Sequence, residues 1–183
     1  GSNDACGIQS LALDVTAFDC TDVGTNTVTL TVTDNNNNVS TCTATVTVED
    51  NVDPVAICQD ITVQLDGSGT AVITPADIDN GSNDACGIAS LSIDQDSFTC
   101  ANSGETVTLT VTDNNGNVST CTATVTVEDN VDPTPICQDI TVQLDAAGAA
   151  SITTADIDNG SFDNCSIASL SLNITDFDCT NVG

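Results

Sequence analysis

Alternating apolar and polar positions run along much of the chain. Residues 61–65 carry Ile, Val and Leu at every second position, and residues 107–111 repeat this pattern between threonines. A similar stretch follows at 121–127, with shorter ones at 72–73 and 89–93. Because successive side chains of a β-strand point to opposite faces, the pattern predicts half-buried strands. No segment has convincing helical spacing.

Turn-forming residues separate the predicted strands. Residues 66–69 and 102–104 are rich in Asp, Asn, Ser and Gly, and the run at 113–117 combines Asp and Asn with Gly116. These residues tolerate the left-handed backbone of tight turns and hairpin loops. The simplest closed arrangement is an all-β antiparallel sandwich of about seven short strands.

The sequence repeats with a period of 79 to 80 residues. Glycines 1, 81 and 160 hold the same repeat position, so the spacings are 80 (81 minus 1) and 79 (160 minus 81). A period this long, with several strands inside it, indicates separate folded beads in tandem and not a thin solenoid. We predict the C-terminal part of one repeat at 1–50, a complete sandwich repeat at 51–129, and the N-terminal part of the next repeat at 130–183.

The charge of the chain is entirely negative. It has 27 acidic residues, no Lys, Arg or His, and a formal charge of -27. Internal salt bridges between side chains are impossible, so the counter-charge must come from solution. Nucleic acid and anionic membranes are poor partners, because both need Lys or Arg to displace counterions. No apolar run reaches the ~18 residues of a membrane helix. An enzyme is not expected, because no side chain titrates near neutrality and no amine is available.

Ten cysteines without a single His favour disulfides over zinc and place the protein outside the cytoplasm. Cysteines that flank the same short excursion are expected to pair: Cys6 with Cys20, Cys86 with Cys100, and Cys165 with Cys179. Cys58, near the first strand, is expected to pair with Cys121, just past the last hairpin. Partners of Cys42 and Cys137 are expected outside this stretch. A Cys42–Cys58 bond across the linker is an alternative that would join neighbouring repeats.

Several motifs of the complete repeat resemble the hyalin-repeat family. They are Asp53-Pro54, Ile57-Cys58-Gln59-Asp60-Ile61, Pro75 to Asn80, Gly104 before Val107, Asp113 with Gly116-Asn117, and Cys121 before Val125 and Val127. The resemblance covers 51–129 and recurs in the flanking segments. It implies an immunoglobulin-like sandwich of secreted and surface proteins with an adhesive or architectural role, and the family's disulfide is similar to Cys58–Cys121. The chain departs from the family at Ala123, where an aromatic is expected, at Ile73, and in its second cysteine pair.

Acidic residues are concentrated in the linker that ends at Pro54, which restricts the backbone of the residue before it. Sandwich connectivity places this linker, loop 77–84 and hairpin loop 113–117 at one pole. Asp77 and Asp79, two apart in an extended segment, would point the same way. Carboxylate and amide oxygens suit calcium, although such runs also fit ordinary turns. The predicted ligands are Glu49, Asp50, Asp53, Asp77, Asp79, Asp84, Asp113 and Asn115, and the repeated set Glu128, Asp129, Asp132, Asp156, Asp158 and Asp163.

Three further signals are weaker. Residues 77–81 approach an EF-hand loop, but the glycine is one place early and flanking helices are not predicted. The Thr-rich strand faces could form an ice-binding array, although such threonines usually form a solvated face. Attached glycans are a further candidate, because sites that fit the N-glycosylation pattern include Asn38, Asn80, Asn117, Asn159 and Asn173.

Together these features predict a structural repeat module of an extracellular, bacterial surface fibre or filament. Calcium between domains and disulfides would make it rigid. Its partners would be further copies of the same repeat, in the same chain or by self-assembly. The alternative function is a spacer in a large calcium-dependent adhesin whose ligand-binding domain lies outside this segment.

Overall fold

The fold is dominated by β-strands. The computed structural model describes all 183 residues. The strands are β1 Ile8–Leu13, β2 Gly24–Asp34, β3 Val39–Val48, β4 Ile61–Gln64, β5 Thr70–Val72, β6 Ile88–Ile93, β7 Ser97–Thr99, β8 Glu105–Asp113, β9 Val118–Glu128, β10 Ala149–Ser151 and β11 Asp176–Asp178. The helices are α1 Pro75–Ile78 and α2 Thr154–Ile157, with 3₁₀ turns at Cys20–Asp22 and Cys179–Asn181. Neither α-helix is long enough to cross a membrane.

The strands form four sheets, which fits a sandwich of β-sheets. Their strand orders are β1-β2-β3, β4-β9-β8-β6, β5-β7 and β10-β11. The pairs β1-β2, β2-β3, β5-β7 and β10-β11 are antiparallel. Strands β4 and β9 are parallel, with Ile61 opposite Val125 and Val63 opposite Val127. The prediction of a wholly antiparallel sheet is therefore wrong at this pair. The two strands are the first and last of residues 51–129, so no tight hairpin has to join them.

The best-buried core lies in residues 51–129. Alternate residues of β8 are buried, with Val107, Leu109 and Val111 all 0 % exposed. Phe98 in β7 is also 0 % exposed, although no strand is predicted there. The alternating pattern therefore locates the core strand β8, and the aromatic side chain packs from a short strand of another sheet.

Helix α1 is not predicted from the sequence. Pro75 occupies its first position, where the missing amide hydrogen costs nothing and the ring fixes a helical φ. Ile78 at its end is 0 % exposed, so the turn carries one apolar side chain into the core. A single turn is too short to produce helical periodicity in the sequence.

Three disulfides are present: Cys20–Cys86, Cys58–Cys121 and Cys100–Cys165. The predicted Cys58–Cys121 bond is among them. The predicted pairs Cys6–Cys20, Cys86–Cys100 and Cys165–Cys179 are wrong, and so is the alternative Cys42–Cys58. Cysteines at the two ends of one short segment do not pair with each other. Strand β6, after Cys86, joins the four-stranded sheet, whereas β7, before Cys100, pairs with β5. The thiols of four cysteines are free and exposed: Cys6, Cys42, Cys137 and Cys179.

Spatial contacts divide the chain into two compact units. The first comprises Gly1–Cys58, Asp79–Ser92 and Leu109–Cys121. The second comprises Gln59–Ile78, Ile93–Thr108 and Thr122–Gly183. The first unit contains residues 1–50 and part of 51–129, and within it Cys20–Cys86 joins these segments. The second contains residues 130–183 and another part of 51–129, joined by Cys100–Cys165. The division into repeats at 1–50, 51–129 and 130–183 stays a prediction, since these units follow contact and not the sequence period.

Candidate metal centre

The linker lies against two loops of the first compact unit. The side-chain amide of Asn117, in the loop between β8 and β9, donates to the carbonyl oxygens of Asp50 and Val52 at 3.2 Å each. The backbones of Val55 and Asn83 exchange hydrogen bonds of 2.8 and 3.0 Å. The linker backbone therefore lies beside loops that are distant in sequence.

Asp50 and Asp84 form the closest pair of predicted ligands. A carboxylate oxygen of each lies within 4.8 Å of the other and of the Cys86 sulfur. That sulfur is bonded to Cys20, so it is not a thiolate ligand. Two like charges at this distance repel each other by roughly 3 kcal/mol if the effective dielectric constant is about 20. No basic side chain exists to offset this repulsion.

One oxygen of this pair has no hydrogen-bond partner. Oδ2 of Asp50 is buried and unpaired, whereas Oδ1 of Asp84 accepts a 2.7 Å bond from the Cys86 amide. Buried acceptors are almost always satisfied, so an unpaired one requires an explanation such as an ion. The unpaired oxygen beside a second carboxylate is a suitable pair of ligands for a divalent cation.

A second cluster uses the corresponding residues of the next linker. Asp129 and Asp163 match Asp50 and Asp84 in the sequence. The Asn164 side-chain amide donates to Oδ1 of Asp129 at 3.0 Å. Oδ1 of Asp163 and Oδ1 of Asn164 are both buried without a partner. Two neighbouring residues therefore present unpaired oxygens, and one of the two, Asn164, is bonded to a linker carboxylate.

Both clusters fit calcium in donor type. Calcium takes six to eight oxygen ligands from carboxylates, amide carbonyls, backbone carbonyls and water. Asp50 with Asp84 could hold one ion, and Asp163 with Asn164 and Asp129 another. Asn164 is not predicted as a ligand, because the same repeat position in the middle segment is Ala85.

Four predicted ligands are instead engaged in local turns. Asp77 accepts bonds from both the amide and hydroxyl of Thr74, at 2.7 Å each, and these bonds lower the pKa of its carboxyl. Bonds from Ser82 lower the pKa of Asp79. The matching residues Asp156 and Asp158 are bonded in the same way. The premise that Asp77 and Asp79 share an extended segment is wrong, because Asp77 lies in helix α1.

The remaining predicted ligands lie outside the two clusters. Glu49 accepts a bond from the Asn51 amide at 3.3 Å, and Glu128 accepts one from Gln64 at 2.7 Å. Asp50, Asp84 and Cys86 are the only three acidic or cysteine side chains whose ligand atoms all lie within 4.8 Å of one another. The last three predicted ligands have exposed side chains: Asp53, Asn115 and Asp132.

Asp113 is the most deeply buried acid, at 1 % exposure. Its Oδ1 accepts bonds from the amides of Asn115 and Asn117 at 2.9 and 2.8 Å, and its Oδ2 accepts one from the Asn117 side chain at 2.7 Å. Burial opposes the charged form, but these bonds outweigh it and lower the pKa of the Asp113 carboxyl. Its oxygens are thus already paired, so Asp113 anchors the hairpin loop that holds the linker.

No family model matches this sequence, and no curated protein matches it with significance. The resemblance to hyalin repeats therefore stays an expectation from the sequence motifs.

Replacing Asp113 with Asn should make the stability of the fold depend less on pH in the acidic range. A carboxyl whose pKa is lowered on folding stabilises the native state above its ordinary value of 3.8 and loses that contribution as pH falls through the lowered pKa. D113N should therefore melt below the wild type at pH 6, and the gap should narrow below about pH 4. Melting curves between pH 6 and 2 test this. The control is D96N, since the exposed Asp96 carboxylate accepts only the Ser97 hydroxyl. A D113N gap that is constant down to pH 2 would contradict the assignment.

Proposed function

We propose that this chain is a structural segment of an extracellular, bacterial surface fibre. In this proposal, tandem immunoglobulin-like sandwiches are held in line at each junction by one disulfide and one calcium ion. The observation that carries the proposal is the unpaired Asp50 oxygen beside Asp84, next to Cys20–Cys86. The related arrangement of Asp129, Asp163 and Asn164 beside Cys100–Cys165 supports it.

Calcium would act where this chain most needs a cation. The ion would join a linker carboxylate to a loop carboxylate of the following sandwich, and so replace a repulsive contact by an attractive one. The neighbouring disulfide already limits the separation of the two segments, so a bound ion has little freedom left to remove. Such a junction resists bending, which is what a load-bearing or spacing element requires. The absence of basic side chains means that no internal salt bridge competes for these carboxylates.

Calcium titration of the whole chain tests the proposal. Isothermal calorimetry should show two bound ions per chain, and D84N/D163N should lose both. Asn keeps an acceptor oxygen for the backbone amides of Cys86 and Cys165, so the loops have a partner in the variant. D96N, which removes one exposed charge away from the linker, should bind as the wild type does.

The mechanical part of the proposal has its own measurement. Small-angle X-ray scattering should show a stiffer, less variable particle in calcium than in chelator, and D84N/D163N should scatter as the chelated wild type does. Equal calcium uptake by D84N/D163N and the wild type would contradict the assigned ligands. Unchanged scattering despite binding would contradict the rigid-junction function.

A further inference from the structure

Residues 130–183 expose apolar side chains whose counterparts are buried. Ile157 and Phe177 match Ile78 and Phe98, 79 positions earlier (157 minus 78, and 177 minus 98). Ile78 and Phe98 are both 0 % exposed, but Ile157 and Phe177 are only half-buried. An open cleft of about 450 Å³ is lined by Phe177 together with Val142 and others. This part of the chain therefore has an uncovered apolar face.

The same sequence also behaves differently in the two places. Residues 136–145 are identical to residues 57–66. Ile61–Gln64 forms strand β4 because β9 lies beside it, whereas Ile140–Gln143 is not a strand. Ile140 and Val142 are 39 % and 38 % exposed. What is absent beside residues 140–143 is a partner strand equivalent to β9.

The middle segment identifies which element fills that place. There the β8–β9 hairpin supplies the neighbour of β4, and the Cys58–Cys121 disulfide ties the two together. Leu65, after β4, also donates its amide to the Glu128 carbonyl at 2.9 Å. The occupant of the uncovered face should therefore have the sequence of this hairpin.

The β2–β3 hairpin has that sequence and the complementary exposure. Residues 27–50 are identical to 106–129 except that Asn37 replaces Gly116. Both residues have positive φ, 68° and 92°, which Asn tolerates in a hairpin loop. Ala44 is exposed and Val46 half-buried, although their counterparts in β9 are 2 % and 0 % exposed.

Strand β3 is also an open edge. The order β1-β2-β3 matches β6-β8-β9 of the four-stranded sheet, and the one neighbour it lacks is the equivalent of β4. An unpaired edge of this kind accepts an added strand through main-chain hydrogen bonds. The two outer parts of the chain are thus halves of one sandwich, each with the surface that the other would cover.

We infer that this chain self-assembles head to tail, with the β2–β3 hairpin of one copy completing residues 130–183 of a second copy. Residues 140–143 would become a parallel strand beside β3, with Ile140 opposite Val46 and Val142 opposite Val48. In the pair β4 and β9, Ile61 lies opposite Val125 and Val63 opposite Val127. The proposed register uses the residues 79 positions after β4 and 79 positions before β9. The inference deepens the proposed fibre function by naming its partner surfaces.

In this assembly two segments correspond to the same edge strand, β6. Strand β1 corresponds to residues 167–172 of the receiving copy, and both match the edge strand β6. Strand β1 is already paired with β2, whereas residues 167–172 form no strand. The incoming sheet therefore keeps its own edge strand, and residues 167–172 remain off the sheet.

The assembly would be sealed by a disulfide between copies. Cys42 and Cys137 match Cys121 and Cys58, and both thiols are free and exposed. Oxidised glutathione can act as the oxidant. A thiolate of one cysteine attacks it, releasing one glutathione thiolate, and the second cysteine thiolate then displaces the other. One protein S–S bond forms, the oxidant's S–S bond is reduced to two thiols, and the two protein thiols lose their protons.

Crosslinking of the full chain tests the inference. C6S/C179S is the background, so that Cys42 and Cys137 are the only free thiols. With oxidised glutathione, this background should give a ladder of covalent oligomers on a non-reducing gel. Adding C42S or C137S should abolish the ladder, and an equimolar mixture of those two variants should give dimers only. Peptides cut after acidic residues should contain the Cys42–Cys137 bond.

A second pair of variants tests the docked surface. V46D should abolish crosslinking, because the counterpart Val125 is fully buried, whereas V39D should not, because Val118 is 48 % exposed. A Cys42–Cys137 bond confined to monomers, equal crosslinking by V46D, or no bond between these cysteines would overturn the inference. Calcium uptake by Asp84 and Asp163 involves neither cysteine, so the fibre proposal and this assembly can fail separately.

Discussion

Removing calcium with a chelator is expected to lower the melting temperature of the chain by about 10 to 20 °C. A ligand that binds only the folded state at a hundred times its dissociation constant adds about 2.7 kcal/mol. Two sites double this, and each kcal/mol corresponds to roughly 2 to 4 °C for a chain of this length. Thermal melting followed by far-UV circular dichroism is suitable, since the chain has neither Trp nor Tyr.

The control must separate specific binding from general screening. A chain with a formal charge of -27 is stabilised by any salt that weakens repulsion between exposed carboxylates. Sodium chloride at matched ionic strength should therefore give a small shift, which D84N/D163N should share with the wild type. The large calcium shift should be lost in D84N/D163N and kept in D96N. If sodium chloride reproduced the whole calcium effect, the two clusters would not be ion sites.

Strand positions are predicted well where burial itself creates the pattern. Val107, Leu109 and Val111 alternate with threonines because one face of β8 meets the core. Identical sequences nevertheless differ in structure, as residues 61–64 and 140–143 do. A strand needs a neighbour, and local sequence does not contain that neighbour. Strand existence is thus only partly a local property.

Disulfide pairing depends on the same non-local information. Cys86 and Cys100 are close in sequence, but β6 and β7 join different sheets and separate them. Cys20 meets Cys86 because neighbouring segments are in contact, which a pairing rule within one excursion cannot anticipate. Cys58 and Cys121 could be paired from sequence because they lie near the first and last strands of one complete segment.

The candidate site shows a similar division. Composition indicates that an external cation is needed, since no base is present. Asp50 and Asp84 are among the predicted ligands, but so are Asp77 and Asp79, which serve local turns. Whether an acid caps a turn or faces another acid depends on backbone geometry. Asn164 cannot be predicted from the repeat, because the matching positions 5 and 85 are both Ala.

Breaking Cys58–Cys121 should cost the folded core about 4 kcal/mol. Reduction lets the unfolded chain explore conformations that a loop closed across 63 positions forbids, and the chain-entropy estimate for a loop of this size is about 4 kcal/mol. The C58S/C121S variant should therefore unfold at a clearly lower urea concentration, and its slope should rise because the unlinked denatured state is less compact. C6S, which alters an exposed free thiol outside the assembly surface, should leave the midpoint where it is.

Breaking Cys20–Cys86 should have a different effect despite a similar separation of 66 positions. This bond joins residues 1–50 to residues 51–129. The loop that it closes, residues 20–86, does not include the buried residues of β8. C20S/C86S should therefore leave the midpoint of the main transition nearly unchanged while the hydrodynamic radius grows, as measured by sedimentation. Equal losses of stability in both variants would mean that residues 1–50 and 51–129 unfold as one cooperative unit. The junction would then contribute to the core itself, and the separate-bead description of the fibre would have to be abandoned.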